Sequence, residues 1–152
     1  IGAVVMISMT AFFVLFRGVL IDPDAISALL RDWRVGRDQL LIFLIVMSFI
    51  NPVVEELYWR GYFFHRLKSR MPAGRSAVVS AIFYASYHFV TTASLFSLNI
   101  GILFTTVIFG AGVFWGILRE KSGSVIGPII IHMAADWAVM IIYFLYIHGS
   151  LV

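Results

Sequence analysis

The sequence predicts an all-α fold, a polytopic transmembrane helix bundle of about five spanning helices, on three observations. Hydrophobic residues make up 61% of the 152 residues and charged residues only 12%, against roughly 25% charged in an ordinary soluble domain. The mean hydropathy is +0.98. Apolar runs close to the ~20 residues that a helix needs to cross a bilayer recur five times, separated by polar stretches. No Gly/Ser linker, internal repeat or low-complexity tract divides the chain. Residues 1–152 are therefore expected to form a single transmembrane domain, with its core over 40–147.

The first segment covers about residues 1–21 and places Arg17 near enough to its end to snorkel. It is too long and too hydrophobic for a signal-peptide core and lacks a basic lead and a cleavage site. The chain opens on Ile1, which predicts a fragment that has lost upstream sequence, with room there for a further helix. Residues 22–38 form a polar connection holding Arg31, Arg34 and Arg37 among four aspartates, and 25–33 suits a short interfacial helix.

The second segment starts near Leu40 and continues to about Lys68, because Tyr62, Phe63, Phe64 and Leu67 keep one side apolar. Pro52 inside it is expected to kink the helix and free a backbone carbonyl three to four residues earlier. Residues 69–75 make a basic turn marked by Pro72 and Gly74. The third segment covers about 76–92, an uncharged loop 91–99 follows, and the fourth covers about 100–118. Gly101, Gly110, Gly112 and Gly116 within the fourth predict close helix contact. A short turn over 119–123 leads to the fifth, about 125–147, with Pro128 tolerated in its first turn.

The loops after the second and fourth segments carry Arg66, Lys68, Arg70, Arg75, Arg119 and Lys121, against three basic residues on the opposite side. The positive-inside rule then puts the basic turns and the first residue in the cytoplasm and the last residue outside. The expected location is an integral, multi-pass one, in the cytoplasmic membrane if the source is bacterial. A net charge of +3, with basic residues beside apolar segments, points to lipid headgroups and the bilayer as partners and not to nucleic acid. The absence of cysteine excludes disulfides, thiolate nucleophiles and Cys-ligated zinc.

Within the segments the ionisable residues are Glu55, Glu56, Arg60, His88, His132 and Asp136, drawn from three helices. Such a group near the bilayer centre costs about 2.5–3.5 kcal/mol or more, so it is seldom left there without a task. Glu56 and Arg60 are four apart and can pair on one helical face. Glu55 is rotated by ~100° from Glu56 and has no such partner nearby in sequence. His132 and Asp136 are again four apart, so the aspartate can orient the ring or both can point into one cavity. His88 lies ~18 Å beyond Ser76 and Glu55 ~22 Å beyond Leu40 from the opposite side, which puts both in the middle of the bilayer. His132, ~12 Å past Ser124, is within side-chain reach of a shared, water-accessible pocket.

Such a pocket permits hydrolysis. A carboxylate desolvated by apolar walls can take a proton from water and pass it to a leaving amine, a histidine can help position that water, and a second His with an Asp can stabilise an oxyanion. A Glu, His, His set can instead bind zinc, through Glu55, His88 and His132, although no HExxH helix places two of the ligands together. No serine or threonine sits in a recognisable nucleophile motif. His65 and His148 fall at opposite rims and are read as interfacial, and Trp33, Trp59, Trp115 and Trp137 as anchors and packing.

These residues, in this order, resemble the CPBP intramembrane proteases, the family of the eukaryotic CAAX prenyl endopeptidase and of bacteriocin-processing, Abi-like bacterial proteins. The family pattern of EExxxR, FxxxH and HxxxN or HxxxD corresponds to Glu55-Glu56-Leu57-Tyr58-Trp59-Arg60, Tyr84-Ala85-Ser86-Tyr87-His88 and His132-Met133-Ala134-Ala135-Asp136. EExxxRG in a hydrophobic helix is fairly specific; the other two motifs gain force from order and spacing. Tyr84 departs from the usual Phe and keeps the aromatic ring.

The resemblance implies an intramembrane endopeptidase in which Glu55 is the catalytic base, His88 shares in activating water, and His132 with Asp136 supports the oxyanion. Glu56, Arg60 and Tyr84 are implied as structural support. Although the family is often called metalloprotease, a metal-free, glutamate-dependent mechanism is favoured here, with no cofactor and zinc as the alternative. The implied substrate is a membrane-associated protein or peptide, prenylated or carrying a C-terminal sorting or leader segment. Two other classes compete. A proton-coupled transporter would use Glu55, His88, His132 and Asp136 as a relay, against which stand the small helix count and the lack of an inverted repeat. A non-catalytic immunity or binding protein would keep the pocket without the reaction.

Overall fold

A computed structural model of the protein describes residues 1–36 and 38–151, with side chains described as far as Gly149. Arg37, one of the arginines of the polar connection, lies outside the described residues. The described elements are helices: α1 (Gly2–Leu20), α2 (Pro23–Asp32), α3 (Leu40–Lys68), α4 (Ala73–Leu95), α5 (Leu98–Ser122), α6 (Ile126–Tyr146) and a final turn α7 (His148–Leu151). Among the described residues α1, α3, α4, α5 and α6 are long and apolar enough to cross a membrane. The protein is a multi-pass integral membrane protein. Val4, Ile7, Leu15 and Val19 of α1 are exposed, and lipid tails, as apolar as leucine, solvate such a face.

Three boundaries differ from the sequence reading. The expected loop 91–99 is mostly helical, because α4 runs to Leu95 and α5 starts at Leu98. Its hydroxyls serve helix pairing: Thr92 Oγ1 donates to Gly101 O at 3.3 Å and shares a hydrogen with Thr105 Oγ1 at 3.0 Å. At the other end of α5 the expected turn 119–123 is helical as far as Ser122, and the chain reverses at Gly123. There φ is +67°, a left-handed conformation that glycine reaches without a Cβ clash, and its N–H bonds to Arg119 O at 3.1 Å. α2 also starts earlier than expected, where the Asp22 side chain accepts the Ala25 N–H at 3.0 Å ahead of Pro23.

The chain divides into two compact units, residues 1–52 with 131–152, and residues 53–130. In the first unit α2 buries Ile26, Ser27 and Leu30 and packs against α7. The Arg17 guanidinium lies over the Tyr146 ring at 5.9 Å. Pro52 meets one part of the expectation for α3, the carbonyl that it leaves to another partner. The helix widens into a π-helical stretch over Val46–Ile50, after which the Asn51 N–H reaches back five residues to Val46 O. A proline ring presses on the carbonyl four residues earlier and offers it no N–H, and a widened turn relieves the clash. That carbonyl, Ser48 O, accepts the Trp137 indole N–H at 3.2 Å, and the indole stands edge-on to Phe49 at 5.6 Å.

Replacing Trp137 by Phe keeps a ring and removes this donor, so the thermal stability of the detergent-solubilised protein should fall by about 1 kcal/mol. The loss should shrink in a Pro52→Ala background, where a backbone N–H returns to α3. An equal loss in both backgrounds would show that the freed carbonyl is not the reason.

In the second unit α4 and α5 pack along their length. A Cβ added at Gly116 would stand 2.9 Å from Ala77 Cβ, and one at Gly112 3.0 Å from Ala81 Cβ, so glycine faces alanine across the contact. Gly101 is equally tight, with Ala93 Cα 3.0 Å from such an atom. Gly110 differs from the sequence reading: nothing lies within 4 Å of its added Cβ, because it faces away from that stripe. Lys68 and Glu120 pair between the ends of α3 and α5.

Candidate active site

Glu55 and Glu56 close a short α-helical stretch, Asn51–Glu56, between the π-helical turns Val46–Ile50 and Leu57–Phe63. In the second widened turn the Phe64 N–H reaches back to Trp59 O, which also accepts the Ser80 hydroxyl of α4 at 3.3 Å. π-Bulges of this kind appear frequently at functional sites, where they re-aim side chains.

Glu56 and Arg60 are almost completely buried, with side chains 0% and 1% exposed, and pair at 2.8 Å between Oε1 and Nη1. The guanidinium also donates through Nη2 to Gly112 O at 3.2 Å. Two aromatic rings cover it from adjacent sides, Tyr84 at 4.3 Å and Trp115 at 5.0 Å from Cζ, with their own centroids 6.0 Å apart. A buried charge is tolerated only with such compensation, and here α3, α4 and α5 each supply part of it. The absence of a side chain at Gly112 keeps that carbonyl approachable: an added Cβ would lie 3.2 Å from Nη2.

Glu55 points to different company. His88 Nε2 stands 3.9 Å from Glu55 Oε2, with the two side chains 20% and 14% exposed respectively. That is too long for a direct hydrogen bond. The other ring nitrogen, Nδ1, lies 2.9 Å from Tyr84 O. A backbone carbonyl only accepts, so Nδ1 carries the hydrogen, and in the neutral form of the ring Nε2 presents its lone pair. Two acceptors thus face each other across a gap suited to a shared donor.

His132 and Asp136 belong to the first unit. His132 is buried on α6, and its Nε2 lies 3.7 Å from Asp136 Oδ1, one helical turn away. Trp137, the donor to Ser48 O, is the next residue. Of the residues singled out in the sequence, Glu55 meets His88, Glu56 meets Arg60 under Tyr84, and His132 meets Asp136.

Sequence reasoning passed over three participants. Gly112 was legible as a contact glycine but not as a carbonyl acceptor, and Trp115 as packing but not as a cover for the guanidinium. Tyr87 carried a signal in its place before His88 and was not used: its hydroxyl lies 3.4 Å from His88 Nε2. Within residues 53–130 Glu55 and His88 offer two donors, fewer than the three protein ligands of a catalytic zinc. Among the described residues no group of three or more His, Cys, Asp or Glu side chains is disposed to hold a metal ion.

Comparison with curated proteins and with solved structures found no match. A family model does match: that of the type II CAAX prenyl endopeptidase Rce1-like proteins, over residues 37–138, more than half of the chain.

Proposed function

The chain belongs to the type II CAAX prenyl endopeptidase Rce1-like family, proteases of the CAAX type that work within the membrane, and on that premise we propose a glutamate-dependent hydrolysis with Glu55 as the base. The observation that carries it is the pair of acceptors, Glu55 Oε2 and His88 Nε2, facing each other at 3.9 Å. A water between them gives one hydrogen to each. His88 orients the water, and Glu55 takes its proton as the oxygen attacks the scissile carbonyl, then delivers that proton to the leaving amine. His132, held by Asp136, stabilises the oxyanion, a role supported by the motif that the two residues share with the family. Glu56, Arg60 and Tyr84 hold the turn beside the base.

The substrate in this reading is a membrane-associated protein cut near its embedded end, a prenylated tail or a leader or sorting segment. The mechanism in this reading is metal-free, because Glu55 and His88 between them hold and deprotonate the water. The deciding experiment is Glu55→Gln on the full chain in lipid nanodiscs, assayed on a farnesylated peptide ending in a CAAX sequence and expected to slow cleavage by about 10²–10⁴-fold. In the same assay the wild-type protein should keep its activity after exhaustive chelation. Loss of activity that added zinc restores would overturn the metal-free mechanism.

A further inference from the structure

Tyr87 lies outside the three family motifs' named positions, yet it stands where the proposed base and histidine meet. Its ring is clamped against an aromatic cluster, parallel to Trp59 at 5.8 Å and 6° and edge-on to Tyr84 at 5.8 Å, those two rings being themselves 5.9 Å apart. It also lies against the His88 ring, with centroids 4.2 Å apart. Trp59 belongs to the π-helical turn that follows the glutamates, so this clamp ties the histidine of α4 to the part of α3 that carries the base. Rings fixed in this way give the hydroxyl little freedom, and it points at the site: 3.4 Å from His88 Nε2 and close enough to the Glu55 carboxylate to interact with it.

The direction of the hydrogen follows from the tautomer. With Nδ1–H committed to Tyr84 O at 2.9 Å, Nε2 of the neutral ring accepts. An ionised carboxylate also only accepts. A single O–H therefore faces two acceptors, one of which, the imidazole nitrogen, has one lone pair and the other several.

We propose that Tyr87 is a positioning residue of the Glu55–His88 pair: its hydroxyl donates to Nε2 until the attacking water takes that lone pair, and then to the Glu55 carboxylate. This rests on the reading of Glu55 as the base. In both arrangements the hydroxyl fixes the two acceptors relative to each other, so its loss should weaken turnover and leave substrate binding alone.

The test is Tyr87→Phe, which keeps the ring contacts and removes only the O–H. It uses the full chain in nanodiscs, with the farnesylated CAAX peptide as probe and ¹⁵N spectra of the histidine side chains as a second readout. The expected result is a kcat about tenfold lower, the size of one hydrogen bond, with KM and thermal midpoint unchanged. The His88 Nε2 resonance of the substrate-free protein should move. A wild-type kcat, or a drop confined to KM, overturns the proposal. Glu55→Gln run alongside separates the two readings: if it retains activity the assignment of the base fails, and if it is inactive while Tyr87→Phe turns over normally the role of Tyr87 alone fails.

Discussion

Substituting Glu55 by Gln should give a protein that folds, inserts and melts as the wild type does, and that cleaves about 10²–10⁴-fold more slowly, the range of a lost general base. The amide matches the carboxylate in size, and the 3.9 Å gap to His88 Nε2 can still hold a bridging water, so the geometry of the pair survives. What it cannot do is hold a proton taken from water. Steady-state cleavage of the farnesylated peptide, with a thermal melt on the same sample, separates lost chemistry from lost structure. Turnover near the wild-type rate would refute Glu55 as the base.

Arg60 should respond in the opposite way, through stability. Arg60→Met leaves the Glu56 carboxylate, 0% exposed, without the guanidinium that lies 2.8 Å away. Breaking a buried ion pair from one side typically costs about 3–5 kcal/mol, enough to lower the thermal midpoint sharply or prevent accumulation of folded protein. Lysine should rescue poorly, since an ammonium cannot reach Glu56 and Gly112 O as a planar fork or present a planar cation to the Tyr84 and Trp115 rings. The double variant Glu56→Gln/Arg60→Met removes both charges and should recover much of the loss. A single variant as stable as wild type, or a double variant worse than the single, would contradict this account.

The five spanning helices were legible because lipid imposes a plain requirement of length and apolarity, which 40–68 and 73–95 meet as visibly as the other three. The Glu56–Arg60 pair was legible from its four-residue spacing, and the freed carbonyl at Ser48 from the missing N–H of Pro52. The π-helical turns were not. Each widened turn holds about one residue more than an α-helical turn, which shifts everything beyond it by ~100° on a wheel drawn with 3.6 residues per turn. A wheel begun at Leu40 therefore loses its phase before Glu55. Thr92 looked like a loop residue by composition because two of the partners of its hydroxyl, Gly101 O and Thr105 Oγ1, stand on α5, out of sight of a local reading. Gly112 shows the same limit: a backbone carbonyl has no letter in the sequence.

That carbonyl changes how the glutamate–arginine motif is to be recognised in other chains. The arginine of EExxxR is lodged by Gly112 O and by the room left where a Cβ would come within 3.2 Å of Nη2. A pattern search built on linear motifs alone would accept a homologue with a bulky residue at the position equivalent to 112, although such a chain has no berth for the arginine. Adding a small residue there, on a helix that otherwise carries none of the signature, turns a one-helix string into a two-helix fingerprint. It would separate chains able to assemble the buried pair from those that only spell it.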